Sequence, residues 1–361
     1  MRWLSGTVAG YAKTMQIERT ATRLDGVRIV TETGPPCAAT ERAEARVRQL
    51  VEDEGMRFRD TIVTEHTTLQ MSPYDDLDAG LVSEPRDDLE AVVFVTEMPR
   101  VRGRQVVVAE VDHQRSAAVI SVPSLGPLPG RALATCIAAI IARLRGRSNR
   151  GTGPTVGRWV SDDGDGSTEY LVCGGAVSRA RVVLGMVGGN RPWRLIPTLT
   201  GLTAAAAAAA SFGIFFSSIW SMANSLSAWR LSAISLLSVA LTTAWLIVNN
   251  KLWERRGDMS KWRARLFNTV TVCTVLFSSV VLYVGLFVAT LVAALFVIDS
   301  SFMADQLGFP VNVGNYVLLA WLATSMGMFA GGLGSSADSY DDVLRATYGH
   351  RERKRRRRAG K

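Results

Sequence analysis

Three groups of carboxylates carry the side chains best suited to chemistry. Asp75, Asp76 and Asp78 lie together, as do Asp87, Asp88 and Glu90, and Asp162, Asp163 and Asp165 follow in a Gly-rich run. Closely spaced carboxylates can hold a divalent cation or divide the roles of acid and base. The first two groups sit among Pro73, Gly80 and Pro85, which is the setting of a solvated acidic turn. The third lacks the frame and the closing Glu of a calcium-binding loop. Cys37, Cys136, Cys173 and Cys273 form no CxxC pair, and His66, His113 and His350 have no ligand spacing. The expectation is therefore no catalytic residue, no metal site and no cofactor.

The elements around these groups divide the chain in two. Of its 361 residues 48% are hydrophobic and 20% charged, yet the charge is segregated. No charged residue lies between Arg194 and Arg230, nor at 231–250, 266–298 or 306–337. A bilayer core needs about 20 apolar residues in a helix, because unpaired backbone groups in lipid cost several kcal/mol. The spacing predicts spans at 196–220, 230–249, 267–298 and 314–335. The third window, at 1.5 Å per residue, makes a helix of about 50 Å against a hydrocarbon core of about 30 Å. It is too short for two spans and a turn, and Gly285 has no Pro, Asn or Asp beside it, so one long helix is expected.

Loop charges set the expected orientation. Arg179, Arg181, Arg191 and Arg194 precede the first span; Lys251, Arg255, Arg256, Lys261, Arg263 and Arg265 join the second and third. The tail holds Arg351, Arg353, Lys354, Arg355, Arg356, Arg357, Arg358 and Lys361. By contrast, the first connection has only Arg230, and 300–313 has no Lys or Arg. This alternation follows the positive-inside rule with four spans and both termini in the cytoplasm. Trp193, Trp220, Trp229, Trp253 and Trp262 stand near the expected helix ends, where amphipathic rings favour the headgroup zone. The expected lipid contacts are Arg191, Trp193, Arg194, Trp220, Trp253, Arg255, Arg256 and Arg355 to Arg358. Basic residues beside a membrane favour anionic lipid of the inner leaflet, so the net charge of +9 implies no nucleic-acid partner. No Asp, Glu, Lys, Arg or His falls inside the spans, which argues against a proton-coupled pump. Gly327 and Gly331 stand four apart in the fourth span, and 204–210 is all alanine, so close helix packing is expected there, within the chain or in a homodimer.

The N-terminal half shows no signal-peptide apolar run and is expected in the cytoplasm. Strands are predicted at 27–31, 59–64, 91–96, 105–111 and 117–122, with a short one at 170–172, and helices at 39–54 and 133–144. That alternation implies an α/β domain at 26–150 with a small mixed sheet of three to five strands, whose 105–111 and 117–122 strands form an antiparallel hairpin. The first 25 residues look like an extension. Residues 151–194 are expected to be a linker and a juxtamembrane segment, with a basic amphipathic helix at 177–189 lying near the membrane surface. A four-helix transmembrane domain at 195–336 and a basic tail at 337–361 follow.

Several short runs resemble an uncharacterised family of actinobacterial membrane proteins. They are Val122-Pro123-Ser124-Leu125-Gly126, Asn190-Arg191-Pro192-Trp193-Arg194, Ser217-Ser218-Ile219-Trp220, Leu252-Trp253-Glu254, Ala320-Trp321-Leu322, and Tyr348-Gly349 before the basic tail. The resemblance covers about 90–358 and implies a cytoplasmic α/β domain joined to a transmembrane domain. Some members carry a methylene-tetrahydrofolate dehydrogenase label. Here Gly146-Arg147-Ser148 with Gly151, Gly153 and Pro154 follows a predicted helix rather than a strand, and no tyrosine has a lysine four residues on. A phosphate-cradling loop needs the opposite order. The function expected is that of a non-catalytic adaptor or sensor, with a membrane-tethered α/β enzyme or a small transporter or channel as alternatives.

Overall fold

The computed structural model describes residues 26–53, 57–58, 62–64, 90–103, 105–144, 156–161, 167–190, 192, 199–254 and 261–334. The N-terminal part is a mixed sheet with helices, and the C-terminal part is helical.

Strands β1 (Gly26–Glu32), β2 (Arg57–Phe58), β3 (Ile62–Thr64), β4 (Glu90–Thr96), β5 (Arg100–Arg102), β6 (Gln105–Asp112), β7 (Ala117–Ser121), β8 (Arg158–Ser161) and β9 (Thr168–Cys173) form one 9-stranded sheet. Its path runs β2-β1-β4-β7-β6-β9-β8, with β3 also beside β1 and β5 beside β6. The β2, β3, β4 side is parallel, and β6, β7, β8 and β9 are antiparallel. Alternate residues bury both faces: Val27, Ile29, Ala91, Val93 and Val95 on one, Val30, Val92, Phe94 and Val119 on the other. Helices α1 (Pro35–Asp53) and α2 (Gly130–Leu144) cover the first face through Ala39, Ala43, Val47, Leu133, Ile137 and Ile140.

The sheet exceeds the three to five strands expected. The segment read as a linker supplies β8 and β9, which continue the sheet from β6. β5 is only 3 residues long, too short to show any alternation in sequence. The expected hairpin is present, β6 pairing antiparallel to β7 across a turn in which Ser116 takes φ 49.

After β9 comes α3 (Gly175–Asn190), then α4 (Thr200–Phe215), α5 (Ser217–Ser225), α6 (Ala228–Asn249), α7 (Lys261–Val297), α8 (Ser300–Leu307) and α9 (Val313–Gly334). Three helices, α6, α7 and α9, are long and apolar enough to cross a membrane. The first expected span is not one helix: α4 and α5 meet at 88°. Phe216 between them is extended at φ −106, ψ 109. α7 is one helix of 37 residues, as its uncharged window predicts.

Contacts fix the helix directions. Gly213 faces Ala323, Gly327 faces Ala206 and Ala210, and Gly331 faces Leu202 and Ala206, so α4 runs antiparallel to α9. Ser235 bonds Ser325 and Thr242 bonds the Met328 carbonyl, so α6 runs parallel to α9. Tyr283 bonds Ser325, and Tyr316 reaches back to the Ile298 carbonyl, so α7 runs antiparallel to α9. The start of α4, the end of α6, the start of α7 and the end of α9 therefore share one end of the helical part. The α/β domain lies at that end, because α3 packs on the start of α7.

Candidate functional site

In an open α/β sheet, ligands sit outside the carboxyl ends of the strands where the chain's winding reverses. Here the chain leaves β1 toward β2 and β3 at one edge, then returns to β4 on the other side of β1. The reversal therefore lies between β1 and β4. At this place a cavity of about 50 Å³ is lined by Pro35, Arg42, Glu97, Val122, Pro123, Gly126, Pro127, Pro129, Gly185, Met186, Gly188 and Gly189. A water needs about 10–15 Å³ of such space, so the cavity holds a few waters or one small group.

A hydrogen-bonded strand-end network adjoins it through Glu97. Glu32, the last residue of β1, accepts from the Thr96 hydroxyl at 2.9 Å and from the Glu97 amide at 2.9 Å. The Met98 amide donates to Thr96 Oγ1 at 3.1 Å, and Ser121 Oγ donates to the Met98 carbonyl at 2.7 Å. Ser124 completes it, donating to the Val107 carbonyl at 3.1 Å. These groups are buried, and buried polar groups that are fully bonded fix one arrangement of the strand ends.

One wall is the start of α1. Gly34, at φ +98, turns the chain out of β1, and Pro35 and Pro36 open the helix. Proline suits the first helical turn, but two prolines remove two of the N–H groups that would receive a phosphate. Arg42 and Glu97 both line this crevice, so its charge is mixed, and the paired prolines give no support to a dinucleotide loop.

The roof is α3. A Cβ on Gly185 would lie 2.3 Å from the Pro123 carbonyl oxygen, one on Gly188 3.5 Å from Pro127, and one on Gly189 3.7 Å from Pro35. Gly185 thus lets α3 settle onto the Val122–Leu125 turn of 3₁₀ helix, and Gly188 and Gly189 lie at ordinary contact distance from Pro127 and the start of α1. Beside them Arg181 lays its stem against Gly126, whose Cβ would meet it at 3.2 Å. The adjacent side of α3 presents Val182 and Met186 to Leu266, Phe267 and Val270 of α7, with Val106 of the sheet in the same cluster. Asn190 Nδ2 donates to Thr274 Oγ1 at 3.1 Å, and Ser278 Oγ donates to the Pro192 carbonyl at 3.0 Å.

A second polar cluster lies at the other end of the sheet. Arg143 of α2 donates to Glu169 of β9 at 2.6 Å and stacks over Trp159 at 4.3 Å, with His113 Nε2 3.4 Å from the same carboxylate. His113, then Arg143, hold the Glu169 carboxyl at about 2 against the opposing effect of burial. A carboxylate held between Arg143 and His113 is a structural clamp and offers no free base. Burial pushes the Cys136 thiol up to about 12, which leaves it inert. No group of three or more His, Cys, Asp or Glu among the described residues could hold a metal ion.

Of the residues expected at lipid, Trp253 is exposed (55%), beside a clasp in which the Glu254 amide donates to Asn268 and Asn268 returns a bond to the Glu254 carbonyl. Trp220, in contrast, is buried at 3%. Its indole N–H donates to the Gly213 and Ile214 carbonyls that the bend leaves without helical partners, and its ring meets Phe302 edge-on at 5.9 Å. Gly327 and Gly331 lie against the alanine run of α4, so that face is filled within the chain. Arg191, Trp193, Arg194, Arg255, Arg256, Arg355, Arg356, Arg357 and Arg358 lie outside the described residues, as do Asp87, Asp88, the Asp75 and Asp162 groups and the Gly146 run, whereas Glu90 opens β4. The crevice residues Glu97 and Gly185, and Glu32 beside them, drew no attention in sequence, and Asn190 entered only through the Asn190–Arg194 run. The one available signal was Gly185-x-x-Gly188-Gly189 inside a helical pattern.

Searches against family models, curated proteins and solved structures found nothing that matches this chain.

Proposed function

We propose that the chain is an integral protein of a bacterial plasma membrane, crossing it four times, whose cytoplasmic α/β domain serves as an adaptor or sensor. The observation that carries this reading is α7. At 1.5 Å per residue its 37 residues make a rod of about 55 Å, against a hydrocarbon core of about 30 Å. The excess lies at its start, where Leu266, Phe267 and Val270 join the cluster of α3 and the sheet. A single helix thus belongs both to the α/β domain and to the apolar layer.

The count of four takes α4 as the crossing part of the bent pair. α4 lies antiparallel along α9 over the same depth. With α6 parallel to α9 and α7 antiparallel to it, the connections rich in Arg and Lys all fall at the α/β end. At the far end, Phe215, Phe216 and Phe302 are exposed around the α4–α5 bend and α8, and Phe296 is 92% exposed, as an aromatic girdle at the outer interface would be. The basic tail, including Arg355 to Arg358, then adjoins the inner leaflet and pairs with anionic lipid. The resemblance to actinobacterial membrane proteins agrees with this arrangement.

An adaptor or sensor is favoured over an enzyme because the strand-end crevice is small, has two prolines where a phosphate-binding helix start would offer N–H groups, and is roofed by the chain's own helix. Single cysteines at Ser301 and Lys251, placed in a cysteine-free background in intact cells, test the topology. A membrane-impermeant maleimide should label position 301 directly and position 251 only after permeabilisation. Labelling in the reverse order would overturn it. Turnover of a nucleotide or folate by the purified full chain would replace the adaptor with the enzyme.

A further inference from the structure

We infer that α3 is a lever: its seating on the crevice rim sets the packing of the first turns of α7, so a change at the strand ends is passed into the membrane. This rests on the reading of α7 as a helix shared by the α/β domain and the bilayer.

The two sides of α3 are built differently. On the crevice side Gly188 and Gly189 lie at ordinary contact distance from Pro127 and Pro35, while Gly185 brings backbone to backbone at Pro123. Such a contact has little tolerance: even a methyl group on Gly185 would stand 2.3 Å from the Pro123 carbonyl oxygen. Packed interfaces respond to that misfit by moving to another arrangement rather than by gradual deformation. The rim that α3 rests on is itself tied to the strand-end network, since Ser121 and Ser124 flank Pro123 and bond the Met98 and Val107 carbonyls. Anything that alters the Glu32–Thr96–Glu97 network therefore moves the seat.

The other side of α3 is made for transmission. Met186 and Val182 are buried against Phe267 and Val270, and Asn190 bonds Thr274, which is 0% exposed. A side-chain amide bonded in a buried setting is costly to leave without its partner. Displacement of α3 therefore breaks or drags the start of α7.

Amide hydrogen exchange on the full chain in nanodiscs tests this. Gly185→Ala should speed exchange at least tenfold in 175–190 and also in 261–274, with β6 and β7 unchanged. Gly130→Ala, where a Cβ meets nothing within 4 Å, should leave both segments as in the wild type. Asn190→Ala, which spares the rim, should speed 261–274 while leaving 122–127 protected. The lever is refuted if Gly185→Ala loosens 175–190 and leaves 261–274 unchanged, or leaves α3 itself unchanged. Should Gly185→Ala fail to fold, Asn190→Ala decides alone, and unaltered exchange at 261–274 then refutes it. Failure of the membrane reading would show separately, as recovery of the chain without detergent.

Discussion

Gly331 of α9 faces Ala206 of α4 so closely that a Cβ on the glycine would lie 2.7 Å from the alanine Cβ and 2.7 Å from the Leu202 carbonyl oxygen. Lipid supplies no hydrophobic drive between helices, so close backbone approach of this kind is what holds them.

Gly331→Ala and Gly327→Ala should each destabilise the membrane part by about 1–3 kcal/mol, the usual cost of overpacking. Gly285→Ala should do the opposite. Gly285 lies in α7 with nothing within 4 Å of a Cβ, so alanine there should add up to about 1 kcal/mol of helix stability. Thermal unfolding in detergent separates the two; equal effects at all three sites would contradict the packing described.

A polar node ties three helices at mid-depth. Trp321 Nε1 donates to Ser235 Oγ at 2.6 Å, Ser235 lies 2.9 Å from Tyr283 Oη, and Tyr283 lies 2.8 Å from Ser325 Oγ. Bonds of this kind between membrane helices average about 0.6 kcal/mol. Tyr283→Phe should cost about 0.5–2 kcal/mol, and Ser325→Ala added to it should cost less than the sum of the two alone, because they share the node. Strict additivity in a double-mutant cycle would show that the hydroxyls act separately.

Glu169 predicts a pH dependence of stability. Its carboxyl is lowered from 4.5 to about 2, chiefly by His113 and then Arg143. A carboxyl that is depressed in the folded state stabilises the fold above its unfolded value and loses that contribution as pH falls through its folded value. The stabilisation, of order 2 kcal/mol, should be complete above about pH 5 and vanish toward pH 2. Glu169→Gln should be less stable at pH 7 and nearly flat across that window, read by chemical denaturation at each pH.

Arg100 and Glu110 form an ion pair inside the sheet, both side chains nearly sealed from water. Removing one member of such a pair takes the counter-charge from the other in a buried setting, so Arg100→Met should cost up to about 3–5 kcal/mol. Soluble expression and melting temperature would report it; a neutral result would mean that Glu110 is satisfied by other groups.

What could be read in advance depended on whether charge or pattern marked it. The uncharged window from Leu266 to Ile298 left no room for a break, and α7 has none. The break at Phe216 had no such mark: it falls inside an uncharged run, with no Pro or charge beside it, and its freed carbonyls are satisfied by Trp220, a ring that sequence position alone would put at the headgroups. In the α/β half, β1, β4, β6 and β7 show as β-branched runs. β8 was hidden because the Gly- and Asp-rich residues around it read as a loop, and its place in the sheet comes only from pairing with β9. The crevice escaped notice for a related reason. Glu32 and Glu97 are far apart in the chain, and neighbouring parallel strands bring them together. The glycines of α3 lower its amphipathic signal while shaping its closest contact.

On the proposed four-span reading, the shared rod has a consequence for anything that would dock on this protein. A domain on a loose tether can tilt and search a wide volume, whereas a strut anchored in two bodies holds them at a set height and angle. Since Phe267 is embedded beside Met186 while the same helix continues to Val297, that reading sets the sheet at a fixed clearance above the bilayer. A visitor must therefore fit that gap or approach from the β8 edge.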